Sequence, residues 1–228
     1  MINRYIVTAC AGLLAAAVAS PSFAADLPRA TYKSPLSVAP FSWTGFYVGI
    51  NGGYGWGKSN WTVVASGATT GDFNTSGGLI GGTIGYNLQT GSLVLGLEGD
   101  FDASWIKGTE TASCGTPGCE TKNTWFGTAR GRIGYAWDRY LPFITGGAAF
   151  GDIKMTTPVS TSQTTTNVGW TVGGGVEYAF MGPWSAKIEY LYADLGKGKC
   201  DIGPCGGLTG FESPLKVNLV RLCVNYRF

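Results

Sequence analysis

The chain contains no histidine, and only 13% of its 228 residues are charged. Without an imidazole, a serine or carboxylate cannot be activated through histidine, and a haem iron cannot take a histidine axial ligand. Positive and negative charges nearly cancel, at a formal +2, which leaves no overall basic field for nucleic acid or anionic lipid. After the first two dozen residues no run of about 18 apolar residues occurs, so no helical membrane span is expected. Glycine strings such as Gly173-Gly174-Gly175 are not followed by a helix or by a Lys-Ser or Lys-Thr pair, which excludes a phosphate cradle. Together these absences argue against an enzyme and leave no cofactor to place.

What is abundant is glycine, at 37 residues, together with 13% aromatics in a chain that is 44% hydrophobic. That mixture is too apolar for a disordered polymer and suits a folded, strand-rich chain. Residues 1–24 read as a secretory signal. Arg4 supplies the basic start, Ile6 to Ala19 the apolar stretch, and Ser22-Phe23-Ala24 the small residues, Ser22 and Ala24, at the two positions read before the cut. Residues 25–42, with Pro28, Pro35 and Pro40 and no periodicity, are expected to form a periplasmic arm. Residues 43–228 form the remaining unit. In an exported chain the spacing of Cys114 with Cys119 and of Cys200 with Cys205 favours two loop disulfides over a metal site, with cross-pairing between the loops as the alternative. Cys223 stands alone in the last segment and is expected to be unpaired.

From Trp43 onward, eight segments alternate bulky and small residues, separated by connections that run long, short, long, short, long, short, long. In the first, Phe46, Val48, Ile50, Tyr54 and Trp56 oppose Gly49, Asn51, Gly53, Gly55 and Gly57. In the third, about 93–106, Leu93, Leu95, Leu97, Phe101 and Trp105 oppose Glu98, Asp100, Asp102 and Ser104. In the fourth, about 124–137, Trp125, Ala129, Ile133, Tyr135 and Trp137 oppose Thr124, Thr128, Arg130 and Arg132. The last strand, Val220 to Phe228, turns Val220, Leu222, Val224, Tyr226 and Phe228 one way and Arg221, Cys223, Asn225 and Arg227 the other. Only the fifth segment, about 140–153, has no assignable faces, because Phe143 and Ile144 are adjacent and a Gly-Gly-Ala-Ala run follows.

A soluble barrel would show the same alternation with the bulky side inward. Glycine at every second position decides against it, because such a face suits the narrow interior of an eight-stranded barrel better than a solvated one. Aromatics gather at both ends of the segments, as the two interfacial girdles of an outer-membrane barrel require. The expectation is therefore an all-β, eight-stranded antiparallel transmembrane barrel with short periplasmic turns and long extracellular loops. An outward charge at mid-membrane costs roughly 2–4 kcal/mol for Arg or Lys. Glu98, Asp100, Asp102, Glu177 and Glu189 should thus face the lumen with Arg130, Arg132, Lys187 and Arg221, with Arg227 as a further candidate partner. A satisfied polar plug is the preferred reading of that set over an ion path.

The strings WTGFYVGINGGYGWG at Trp43 to Gly57, GGLIGGTIGYN at Gly77 to Asn87, LGLEGDFD at Leu95 to Asp102, GTARGRIGYAWDRYLPFITGGAAFG at Gly127 to Gly151, WSAKIEYLYADLG at Trp184 to Gly196 and the final VRLCVNYRF carry a family likeness. The chain resembles the small outer-membrane immunogenic proteins of alphaproteobacteria, an OmpA-like barrel group with haemin-binding and porin-labelled members. The resemblance implies a cell outer-membrane location, contact with outer-membrane lipid, and a surface antigen; the expected function is that of a structural, surface-exposed barrel contributing to envelope integrity. It also implies that the barrel-assembly machinery reads the terminal Tyr226 and Phe228. The alternative function is a narrow porin-like channel, or a receptor whose loops bind haemin or host surface ligands.

Overall fold

A computed structural model describes residues 41–64, 67–69, 71–111, 118–156, 162–200 and 211–228. The proposed signal, residues 25–40 of the arm, Cys114 and Cys205 lie outside the described residues. The described chain forms strands β1 (Gly45–Ser59), β2 (Thr62–Val63), β3 (Phe73–Thr90), β4 (Leu93–Glu110), β5 (Cys119–Tyr135), β6 (Tyr140–Thr156), β7 (Ser162–Met181), β8 (Trp184–Cys200) and β9 (Phe211–Arg227). Each long strand pairs antiparallel with its neighbour in sequence, and β1 pairs with β9 from Tyr47↔Arg227 to Ser59↔Leu215. Eight long strands thus close a ring without a free edge, while the two-residue β2 adds to the end of β9.

The three short turns explain why the hairpins are tight. Gly91, Asp138 and Gly182 each adopt a left-handed φ, at 60°, 52° and 50°. Glycine does this freely, and aspartate is among the few other residues that tolerate it. Trp137, expected at the end of the fourth strand, instead pairs with Tyr140 in an isolated bridge across the Asp138-Arg139 turn.

Outside, the ring carries a broad exposed apolar belt that includes Ile50, Ile80, Ile84, Leu97, Phe101 and Leu222. Its aromatic borders contain Phe46, Tyr135, Trp137 and Phe228 at the short-turn end, with Tyr54, Trp56, Trp105 and Trp170 at the long-loop end. No water-soluble fold gains by exposing so many large side chains, whereas a bilayer buries them. The fifth segment resolves into inward Leu141, Phe143, Thr145 and Ala149, with Tyr140 and Ile144 turned out.

The strands run well past the segments expected from alternation. β8 continues to Cys200 rather than stopping near residue 194, β5 starts at Cys119, and β9 starts at Phe211. Cys119 and Cys200 are therefore strand-end residues and not loop residues. Spanning needs only about 9–11 tilted residues, so strands of 17 residues such as β5, β8 and β9 project beyond the hydrocarbon.

Candidate functional site

The lumen is filled in three layers. At the short-turn end, Trp43 packs with Val94, Leu141 and Ala179, and Phe41 and Ala136 lean on the group. The Trp43 indole donates to the Asp138 carbonyl at 3.3 Å and its backbone N–H donates to Gln89 Oε1 at 2.6 Å, so the residues before β1 tuck beneath the barrel mouth. Arg227 lies over the Phe41 ring at 4.2 Å and the Trp43 ring at 5.5 Å. It belongs to this cap and makes none of the ion pairs above it, which corrects the expectation that it would join them. The reason is height: it sits six residues along β9 from Arg221, level with the turns.

The middle layer is ionic, and all nine acids and bases expected in the lumen are buried there. Arg130 is paired with Glu98, with Asp100 at 2.9 Å and with Glu189 at 3.0 Å. Arg221 reaches Asp100, Asp102 and Glu189, each at 2.8 Å. Lys187 donates to Glu98 at 2.7 Å and lies 3.5 Å from Glu189. Arg132 pairs with Glu177 at 2.9 Å. Arg130 with Glu98 and Arg221 with Glu189 join adjacent strands, but Glu98 on β4 and Lys187 on β8 stand on opposite sides of the ring, so that bond crosses the lumen instead of running along its wall. Such burial is tolerable only where most lone pairs and protons find partners. Thr128 donates to Asp100 at 2.6 Å, Ser185 to Glu177 at 2.6 Å and Asn225 to Glu177 at 3.0 Å, while Asn87 Oδ1 accepts from Arg132 at 2.9 Å.

Two aromatic members of this layer escaped the sequence reading. Tyr47 turns inward and its hydroxyl donates to Glu98 Oε2 at 2.7 Å. Phe143 faces Arg132 and Lys187 with centroids 5.3 and 5.8 Å away, a cation–π arrangement. The available signal for Tyr47 was the glycine at position 85, directly opposite on β3. A Cβ at Gly85 would overlap the Tyr47 ring, so that glycine makes room for an inward phenol.

Toward the long loops the lumen becomes apolar. Leu191, Leu195, Leu215, Val217 and Leu219 join Trp61, Phe126 and Ile153 in one buried cluster. The indole of Trp61 donates to Thr121 at 2.9 Å inside it. Here the expected facing of Thr124 fails. β5 bulges between Lys122 and Phe126, Thr124 is exposed, and Asn123 points inward in its place. Asp152 stabilises the bulge, its Oδ1 accepting from the N–H groups of Thr124 at 2.7 Å and Trp125 at 3.0 Å.

Cys119 is disulfide-bonded. Cys223 is free and buried beside Glu189 at 3.7 Å. Tyr226 stacks edge-on with Trp184 and Phe228, at 5.1 and 5.3 Å, in the girdle at the short-turn end.

A closed ring clad in exposed apolar side chains, with its charges folded inward, is an outer-membrane barrel. The family comparison gives the same result independently: residues 8–228 match the model of the outer membrane protein beta-barrel domain, and the chain belongs to that family. It is 38% identical over 236 residues to the 31 kDa outer-membrane immunogenic protein of Brucella melitensis biotype 1, covering 94% of this chain and 97% of the relative. It is 30% identical over 210 residues to the 25 kDa outer-membrane immunogenic protein of Brucella abortus biovar 1, covering 91% of each. Among solved structures, the outer membrane protein OprG of Pseudomonas aeruginosa superposes with a TM-score of 0.52 at 13% identity, over 81% of this chain and 97% of that one, a likeness of fold. The protein is therefore located in the outer membrane.

Proposed function

We propose that the protein is a non-conducting, non-catalytic surface barrel that holds its long loops on the outside of the cell and contributes to envelope integrity. One observation carries the reading: charged side chains from β4, β5, β8 and β9 meet across the lumen with almost no solvent access. An eight-stranded interior is wide enough only for the side chains that fill it. Ions would have to break several buried pairs to pass, at a cost of several kcal/mol each. Surface display is supported by the immunogenic proteins among its relatives, and the antiparallel order of successive long strands sets all four long connections on one side.

Planar-bilayer recording of the refolded protein tests this directly. The expected trace shows no sustained unitary steps above the lipid baseline. Steady, ion-selective steps from wild-type protein with a closed-barrel gel mobility would refute the plug and favour a channel.

A further inference from the structure

The outward lysines near the long loops fall into two sets. Lys58, Lys197, Lys199 and Lys216 have acidic neighbours, with Asp72 at 4.0 Å, Glu212 at 3.0 and 3.8 Å, and Asp194 at 4.0 Å respectively. Lys107 on β4, Lys122 on β5 and Lys154 on β6 have none within ion-pair distance among the described residues. Yet Lys107 is directly opposite Lys122, and Lys122 directly opposite Lys154. Side chains so placed have Cβ atoms about 4.5–5.5 Å apart, and like charges at that spacing repel. Their strand neighbours Ile106, Thr121, Asn123, Ile153 and Met155 are buried, so alternation turns all three lysines to the outer surface.

Height identifies what neutralises them. Trp105 is two residues from Lys107 and Trp125 three from Lys122, both on the membrane side, and Trp125 stacks on Phe101 at 5.7 Å. These rings mark the interface, so the ammonium row stands at headgroup level. Glu120 is the next outward residue beyond Lys122, on the side away from the membrane. We propose that Lys107, Lys122 and Lys154 form a docking surface for a lipid headgroup of net negative charge that carries more than one phosphate group, in the leaflet at the long-loop end. Phosphate oxygens accept from adjacent ammonium groups and remove their repulsion, while the two indoles pack against the less polar part of the same lipid. The inference rests on the membrane-spanning reading but not on the closed lumen.

The full chain, refolded into phosphatidylcholine vesicles with or without the bis-phosphorylated glycolipid lipid A, provides the test, with barrel closure checked by gel mobility. Lipid retained after mild detergent extraction is counted by native mass spectrometry. K107Q/K122Q/K154Q is expected to lower lipid A retention by about tenfold or more, with K58Q/K216Q unchanged and the triple arginine variant retaining it. Unchanged retention in the triple glutamine variant, equal loss in K58Q/K216Q, or displacement by free inorganic phosphate would overturn the proposal. A second measurement needs no variant: amine acetylation of Lys107, Lys122 and Lys154 in wild-type protein should slow with lipid A present while Lys197 keeps its rate, and equal rates would count against the site. If the chain does not close into a barrel in either vesicle, the spanning reading itself fails.

Discussion

Arg221 and Leu219 are two residues apart on β9 and face the same lumen, yet their surroundings have nothing in common. Arg221 is held by three carboxylates, while Leu219 lies wholly within the apolar cluster. The difference follows from what lies outside the wall at each height. At the level of Arg221 the outer surface meets hydrocarbon, so bulky side chains turn out and the inner positions are left to polar groups. At and above Leu219 the outer surface meets headgroups and water, so lysines turn out and the interior is built as in a soluble barrel. One ring thus has two packing logics, set by two solvents.

The comparison can be broken most severely in the ionic layer. Arg130→Ala leaves Glu98, Asp100 and Glu189 short of a partner and is expected to cost roughly 3–5 kcal/mol. Denaturant titration followed by gel mobility would read this, and a loss below about 1 kcal/mol would show the ion pairs to be replaceable. Conductance should change less than stability does. In the apolar layer, Leu219→Ala removes a fully buried side chain and should cost roughly 2–4 kcal/mol by the same assay.

Tyr47→Phe sharpens the picture at lower amplitude. It deletes one hydrogen bond to the Glu98 carboxylate and should cost about 1.5–3 kcal/mol, whereas no measurable change would mean that Lys187 and Arg130 already satisfy Glu98. The smallest effect belongs to the exposed rim. The hydrogen bond from Lys197 holds the Glu212 carboxyl below its ordinary value of 4.5, with Lys197 and Lys199 charges adding to it. A folded value below the unfolded one means that this pair contributes above about pH 4.5 and stops contributing as pH falls further. Carbon-detected NMR titration should place the Glu212 midpoint below 4.5, and Lys197→Gln should move it upward.

Much of the barrel was legible because lipid imposes a simple rule on alternate residues. Glu98, Asp100 and Asp102 opposite Leu95, Leu97 and Phe101 could face only one way in a bilayer. The outer lumen was not legible by that rule, since alternation continues through it with the meaning of the two faces exchanged. The exchange does leave a trace, in adjacent apolar residues such as Leu219-Val220, Trp105-Ile106 and Trp125-Phe126, where neighbours face opposite ways and both are apolar. The cap was hidden for another reason: Trp43 has no periodic context, and its partner Asp138 is 95 residues away. Net charge misled as well, because a sum of +2 conceals three lysines that only strand register brings side by side.

By itself the sequence determined the eight strands, the side that all but the fifth long strand show to lipid, and the identity of the charges that had to go inside, because period-two patterning and the cost of a charge in hydrocarbon are local properties of the chain. Which acid meets which base, where the lumen turns apolar, and how Trp43 closes its mouth were decided only when the ring closed. Many of those contacts join residues from strands that are not neighbours, such as Lys187 with Glu98 and Arg221 with Asp100, and no one strand carries the information about its distance from the others.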